Sequence, residues 1–197
     1  MKIKRFAVGD LQANGYIIYQ KDGGDCYIID PGYDPNRFIQ FVDEHQLNVL
    51  GILLTHRHYD HVGAVKKIKE LKNCPVYMHG GDVGRYKGDI DVVMEDGDIF
   101  MLEDEAIKVL HTPGHSEGSV CFFSDKSKVV FTGDTIFDTD IGRTDLEDGD
   151  PYKMLATMKN VVNAWDNDIT IYPGHDESCS MKFVREMNAE FIGAMAM

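Results

Sequence analysis

Alternating apolar and polar residues, or short apolar runs, fill most of the chain, and glycine-rich turns separate them. Both patterns are typical of β-strands, in which successive side chains face opposite sides of a sheet. A meander of strands is expected to open the fold, and the second half repeats this strand-rich character. The predicted strands cover residues 3–8, 15–20, 26–30, 49–54, 75–79, 99–102, 106–110, 118–124, 128–132 and 169–172.

Other segments carry apolar residues at helical spacing. Asp-Pro pairs at residues 34–35 and 150–151 each provide an N-cap and a first-turn proline for a helix. Two further helices are predicted over residues 62–72 and 178–191. Because strands and helices follow a similar order in both halves, we expect an α/β fold in which two sheets pack face to face with helices outside both.

The apolar run of residues 49–54 leads directly into four potential metal ligands. The segment from Thr55 to His61 reads Thr-His-Arg-His-Tyr-Asp-His. Imidazole and carboxylate groups bind zinc, iron or manganese, and four of them this close in sequence can converge where a strand ends in an irregular loop. A solvated polar loop is the alternative interpretation, but the density of ligands favours a metal site.

Three more candidate ligands, His115, Asp134 and His175, each follow a predicted strand and lie beside glycine. Glycine lets the backbone turn tightly and approach an ion. A single such histidine is more often packed or exposed, so the prediction rests on the repetition of the arrangement. Asp30 ends the third strand, where it either supports a metal ligand or only starts the turn at Pro31; both interpretations stay open.

The Thr-His-x-His-x-Asp-His loop, followed by separated His, Asp and His residues, resembles the metallo-β-lactamase superfamily. The resemblance covers nearly the whole chain. It implies a four-layer αββα sandwich of two mostly antiparallel or mixed sheets, with a two-metal site at one edge. It also implies that the first ion is held by His56, His58 and His115, that the second is held by Asp60, His61 and His175, and that Asp134 bridges them.

Two such ions can share a hydroxide, because metal coordination lowers the pKa of water towards about 7. The metals would also polarise a carbonyl group and stabilise the developing oxyanion. Asp60 is expected to be catalytic, since it is placed to orient the hydroxide or to accept its proton. The ligand types suit several metals, so we expect two divalent ions, with zinc foremost and iron or manganese as alternatives.

Residues 137–149 are similar to the corresponding segment of glyoxalase II-like hydrolases and of persulfide dioxygenases. Arg143 in this segment is either a contact for a substrate carboxylate or a salt-bridge partner of a neighbouring acid. The tyrosine that follows the basic residue in glyoxalase II is Asp145 here. The chain ends soon after His175, so we do not expect the carboxyl-terminal helical domain of true glyoxalase II, and glutathione recognition is left open.

These features predict a binuclear metallohydrolase, glyoxalase II-like, that cleaves a thioester such as an S-acyl glutathione. The first alternative is a persulfide dioxygenase with one Fe(II) held by His56, His115 and Asp134. The second is a metal-binding protein without catalytic activity. The expected partner is a small-molecule substrate, and the sequence leaves the oligomeric state open.

Composition limits the remaining possibilities. At 197 residues with 43% hydrophobic residues and no linker, the chain is expected to form a single domain over residues 1–197. No apolar run approaches the roughly 20 residues of a membrane-spanning helix, and no secretory signal is visible, so we expect a cytoplasmic protein. The net charge of −13 disfavours nucleic acid as a partner.

The four cysteines form no Cys-x-x-Cys pair, and reduced thiols are therefore expected. Three of them lie in or beside apolar strand-like segments and are predicted to be core residues. Cys179 follows His175 closely, so it could approach the site.

Overall fold

Two six-stranded sheets pack face to face in the computed structural model, which describes residues 1–197. The first sheet contains β1 (Lys2–Val8), β2 (Ala13–Tyr19), β3 (Asp25–Ile29), β4 (Asn48–Leu53), β5 (Val76–His79) and β6 (Val92–Met94). The second contains β7 (Ile99–Leu102), β8 (Glu105–His111), β9 (Val120–Ser124), β10 (Val129–Gly133), β11 (Thr170–Pro173) and β12 (Cys179–Ser180).

Seven α-helices lie outside the sheets or at their edges. They are α1 (Pro35–Glu44), α2 (Tyr59–Val62), α3 (Val65–Lys72), α4 (Gly80–Val83), α5 (Pro151–Asn160), α6 (Met181–Met187) and α7 (Ala189–Ala196), and a 3₁₀ turn, Val162–Ala164, follows α5. Every one of these helices is too short or too polar to cross a lipid bilayer.

Both sheets are mixed. In the first, β1 to β3 are antiparallel, and β3 to β6 are parallel. In the second, all neighbours are antiparallel except β10 and β11. The first half of the sequence forms the first sheet, and the second half forms the second sheet.

The alternation of side chains along the strands produces three apolar layers. In β2, Ile17 faces α1 and α3, whereas Tyr16 and Ile18 face the second sheet. In β10, Phe131 faces the first sheet, whereas Val130 packs under α5 to α7. A strand that is apolar on both faces must be covered on both sides, and this explains the helix layers outside each sheet. The predicted αββα sandwich is confirmed.

The structure corrects three details of the predicted elements. The glycine-rich stretch after β5, for which no element was predicted, contains α4 and β6. The predicted helix over residues 62–72 is preceded by the separate helical turn α2, so Asp60 and His61 lie in a helix and not in an irregular loop. The closing helix is divided at Asn188, whose side-chain oxygen accepts the N–H of Phe191 and so caps α7.

Parallel pairing brings the ends of distant segments to one edge of the sandwich. Ile29 lies beside Leu53, so the residues that follow β3 and β4 emerge together. Gly133 lies beside Pro173, so the same holds for β10 and β11. The two sheets are joined at this edge because the Tyr16 hydroxyl donates to the Pro173 carbonyl at 2.6 Å.

Candidate metal centre

The predicted ligands lie on five segments that meet at this edge. His56 and His58 follow β4, and Asp60 and His61 lie in α2. His115 lies in the turn between β8 and β9, Asp134 follows β10, and His175 follows β11. The sheet register therefore brings together side chains that are up to 119 positions apart, between His56 and His175.

One group of side chains consists of His56, His58 and His115. One potential ligand atom from each lies within 4.8 Å of the other two. Nδ1 of His58 is 2.8 Å from Nε2 of His115. His56 is 1% exposed, and its Nε2 has no hydrogen-bond partner.

A second group consists of Asp60, His61 and His175, again with potential ligand atoms within 4.8 Å of one another. Oδ2 of Asp60 is 3.3 Å from Nε2 of His175 and 3.6 Å from Nε2 of His61. The two Nε2 atoms are 3.4 Å apart.

Asp134 lies between the two groups. Its Oδ1 is 3.3 Å from Nε2 of His61, and its Oδ2 is 3.5 Å from Nε2 of His115 and 3.6 Å from Nε2 of His175. Oδ1 is buried without a hydrogen-bond partner. A carboxylate in contact with both groups suits the bridging position that the family resemblance implies.

In four of these histidine rings Nδ1 contacts an oxygen atom of a neighbouring residue, and this contact directs Nε2 of the ring towards the middle of the cluster. Such contacts fix the tautomer and orientation of a metal-binding imidazole. The contacts at Nδ1 are Thr55 Oγ1 with His56 (2.9 Å), Asp30 Oδ2 with His61 (3.2 Å), the Arg143 carbonyl with His115 (2.9 Å) and the Leu11 carbonyl with His175 (3.1 Å).

Asp30 contacts a predicted ligand, His61, in agreement with one of the two interpretations that the sequence allows. Its carboxylate accepts the backbone N–H of Thr55 at 2.8 Å and the Thr55 hydroxyl at 2.5 Å, and it contacts the His61 ring. The parallel pairing of β3 with β4 puts these residues side by side. Asp30 also has a left-handed backbone with φ 46°, so it is part of the turn as well.

The electrostatics of the cluster favour a positive charge between its carboxylates. Burial works against a charged His61, but Asp134 and Asp30 outweigh it and raise its pKa well above the ordinary value. Burial also opposes the charge of Asp134, yet His61 and His175 hold the pKa of this carboxyl well below its usual range. Burial lowers the pKa of His58 to about 4, which keeps this ring in the neutral form that binds metals.

Gly174 leaves the space that the cluster needs. A Cβ atom on this residue would lie 2.8 Å from Cε1 of His61 and would clash with Oδ1 of Asp134. Only glycine at this position lets the β11 loop pass so close to both side chains.

Divalent cations fit these residues. Imidazole nitrogens and carboxylate oxygens are ligands for zinc, iron and manganese. His56 Nε2 and Asp134 Oδ1 are buried polar atoms without a protein partner, and such atoms are costly unless a bound group satisfies them. Both belong to this cluster, which supports the prediction of a metal centre.

The cluster opens into a cleft of about 690 Å³. Arg143 lines the cleft, but its side chain binds Asp145 through two hydrogen bonds of 2.7 and 2.8 Å. The structure thus shows the salt bridge, one of the two roles that the sequence leaves open for Arg143. Cys179 is half-buried in β12, packs against the core beneath α5 to α7 and does not line the cleft.

Sequence reasoning missed two residues beside the centre, Arg57 and Asp82. Arg57 lines the cleft, and its guanidinium binds Asp148 at 2.5 Å. Asp82 is fully buried and contacts the loops that carry the ligands. Arg57 lies inside the Thr55–His61 segment, where its positive charge beside the predicted ligands could have indicated a role in the site. Asp82 lies in a glycine-rich stretch whose pattern indicated no element.

Comparisons with known proteins agree with this fold. The protein is 32% identical to the hydroxyacylglutathione hydrolase GloC of Haemophilus influenzae over 193 residues, which cover 89% of this chain and 91% of GloC. The crystal structure of the B3 metallo-β-lactamase BLEG-1 superposes with a TM-score of 0.87 at 32% identity, over 95% of this chain and 98% of that one. TTHA1623 in a di-iron-bound form gives a TM-score of 0.84 at 30% identity, over 94% and 98%. The metallo-beta-lactamase superfamily model matches residues 8–175, and the chain belongs to this superfamily of metal-dependent proteins.

Proposed function

We propose that this protein is a binuclear metallohydrolase that cleaves a thioester, such as an S-acyl glutathione. One observation supports this proposal above all others: Asp134 lies in contact with two separate groups of three potential ligands. Two groups joined by a carboxylate suit a pair of ions. The similarity to GloC, a hydroxyacylglutathione hydrolase by name, supports a thioester as the substrate class.

The two groups and Asp134 would hold two divalent ions, zinc foremost and iron or manganese as alternatives. Such ions supply a water molecule that is acidic enough to attack at neutral pH, together with positive charge for the oxyanion. The protein's own contribution is orientation. The held imidazole rings fix the donor atoms in place, so little reorganisation is needed during the reaction.

Asp60 is the proposed catalytic residue. It lines the cleft, and its Oδ2 lies 3.3 Å from Nε2 of His175. Burial raises the pKa of Asp60, but the contacts with His175 and His61 outweigh burial and lower it, which keeps the carboxylate ionised and able to orient water. In the reaction, the water oxygen bonds to the thioester carbon, the C–S bond breaks, and the water proton passes through Asp60 to the departing thiolate.

A persulfide dioxygenase would use His56, His115 and Asp134 alone for one iron. In this protein His58 lies 2.8 Å from His115, and Asp60, His61 and His175 form a complete second group. These contacts favour two ions over one.

The test is elemental analysis of protein purified without added metal, followed by assays with zinc-, manganese- and iron-loaded protein. We expect two ions per chain and hydrolysis of S-lactoylglutathione or another acyl thioester in a panel. One iron with oxygen consumption on a persulfide would instead establish the dioxygenase. Metal binding without turnover of any thioester would leave a non-catalytic metal-binding protein.

The matched control is a pair of variants. Asp60→Asn should abolish most of the turnover. Glu105→Gln, which changes a buried carboxylate at the far end of β8, should keep it.

A further inference from the structure

Asp82 is a carboxylate with no exposure to solvent, located in α4 beyond the end of β5. It accepts three hydrogen bonds. Oδ2 accepts the backbone N–H of Arg57 at 2.9 Å and the Ser116 hydroxyl at 2.9 Å, and Oδ1 accepts the backbone N–H of Gly118 at 2.7 Å.

These donors belong to the two loops that carry the first group of ligands. Arg57 lies between His56 and His58, and Ser116 follows His115. The carboxylate therefore connects the two loops directly, at a place where Nδ1 of His58 and Nε2 of His115 are 2.8 Å apart. Asp82 makes no hydrogen bond to the second group or to its neighbouring residues.

An ionised carboxylate suits this position because it only accepts hydrogen bonds. An asparagine amide would present one oxygen and one NH₂ group to three donors, so at least one N–H would face another donor. The packing leaves no space for a water molecule that could accept a hydrogen bond from this N–H group. A Cβ atom on Gly118 would lie 2.7 Å from the Asp82 carboxylate, and a Cβ atom on Gly81 would lie 2.9 Å from the Glu117 backbone.

We infer that Asp82 is a positioning residue that sets the spacing of His58 and His115, and thereby the affinity of one ion, the one expected at His56, His58 and His115. This inference rests on the proposed metal centre. The ion expected at Asp60, His61 and His175 should not depend on Asp82.

The experiment titrates full-length metal-free protein with Co²⁺ against a competing chelator and follows the cobalt absorption bands. The wild-type protein should bind two equivalents. Asp82→Asn should bind one equivalent with the wild-type affinity and the other about 10- to 100-fold more weakly, the range found when a residue that supports a ligand is removed. Glu105→Gln is the matched control, since Glu105 is also 0% exposed and accepts hydrogen bonds from the Ser124 hydroxyl and the Gln20 amide. It should bind both equivalents normally.

Double variants assign the weakened ion. Asp82→Asn should cause no further loss in a His58→Ala background, but it should keep its full effect in a His175→Ala background. A merely structural role for Asp82 would weaken both equivalents in every background.

Two outcomes separate the inference from the proposed function. If wild-type protein binds two equivalents and Asp82→Asn binds both equally well, the inference is wrong. If wild-type protein binds no metal, the proposed function fails.

Should Asp82→Asn not fold, the variant Ser116→Ala tests the inference in its place, because it removes one of the three hydrogen-bond donors to Asp82. Weaker binding of the same equivalent supports the inference, and unchanged binding overturns it.

Discussion

Oδ2 of Asp30 lies 3.2 Å from Nδ1 of His61, and both residues are almost completely buried. The same carboxylate accepts the N–H and the hydroxyl of Thr55, the first residue of the ligand loop. Asp30 thus orients one predicted ligand, His61, and holds the first residue of the segment that carries three other predicted ligands. A buried acceptor with this many donors is expensive to replace, because each lost partner leaves a polar group unsatisfied.

Asp30→Asn is expected to weaken metal binding by about 10- to 100-fold, since the amide offers one acceptor oxygen where the carboxylate offers two. Chelator competition measures the change. Asp104→Asn is a suitable control because Asp104 is an exposed acid paired with Lys126. An Asp30→Asn protein with wild-type metal affinity would contradict the prediction.

Gly174→Ala is expected to disrupt the centre through space alone, without a change in charge. The added methyl group would lie against His61 and the Asp134 carboxylate, so one of them must move. We expect a loss of bound metal and of turnover, both measured on purified protein.

Gly193→Ala is the matched control for this change. Gly193 lies within α7, and apart from its chain neighbours and the backbone of its own helix no atom lies within 4 Å of the position that its Cβ would take. Alanine in a helix is favoured over glycine by about 0.5–1 kcal/mol, so this variant should be slightly more stable and should bind metal normally. Equal metal content in both variants would show that Gly174 is not needed for the close approach.

Removal of metal is expected to lower the thermal stability of the protein. The cluster concentrates Asp30, Asp60 and Asp134 in a buried region, and bound cations would offset their mutual repulsion. An ion present at about 1,000 times its Kd stabilises the folded state by about 4 kcal/mol. Unfolding followed by circular dichroism with and without chelator measures the shift. His115→Ala should show a smaller shift than wild type, and an equal shift would place the stabilising ion elsewhere.

Much of this architecture follows from local sequence pattern. Strands such as β2 and β10 are apolar on both faces, which predicts burial on both sides. The loop was recognisable because its four predicted ligands lie within six positions, from His56 to His61. The three distant predicted ligands were recognisable because each follows a strand beside glycine. These signals are short in range and need no knowledge of tertiary contacts.

What the sequence did not reveal depends on long-range contacts. Asp82 is one of many acids in the chain, and its role arises only because α4 brings it beneath Arg57 and Ser116. The sequence predicts the closing helix as one element because neither glycine nor proline marks a break at Asn188. Its side-chain amide also donates to the Asp140 carbonyl at 2.8 Å, a contact that only the folded chain supplies.

Asp145→Asn is expected to lower the KM for a thioester that carries a carboxylate. The Arg143 guanidinium is neutralised by two hydrogen bonds to Asp145, and both side chains are exposed, at 62% and 67%. Exposed ion pairs add little to the stability of a fold, so the protein should tolerate the change. A freed Arg143 would be available for the substrate carboxylate.

Steady-state kinetics with S-lactoylglutathione measures this effect. Arg143→Ala should remove the gain when it is combined with Asp145→Asn. A KM that does not respond to Asp145→Asn would show that Arg143 does not reach the substrate.

Thioesters with a cationic thiol portion are expected to be better substrates than otherwise similar anionic ones. Arg57 and Arg143 line the cleft, and each is paired with an acid, Asp148 or Asp145. The cleft also contains Asp140, Glu147 and Asp176. No lysine or arginine in the structure forms an ion pair with these three side chains, so the mouth of the cleft is net negative.

The comparison uses one acyl group on three thiols, thiocholine, mercaptoethanol and mercaptopropionate, which present a trimethylammonium, a hydroxyl and a carboxylate. We expect kcat/KM to fall in that order and the differences to shrink as salt is raised, because the Debye length falls from about 10 Å at 0.1 M to about 3 Å at 1 M. Glu147→Gln should narrow the gap between the cationic and anionic substrates and leave the neutral one unchanged. If the anionic thioester is hydrolysed as well as the cationic one at low salt, these carboxylates do not select the substrate. Arg57 or Arg143 must then be available to the substrate despite its ion pair.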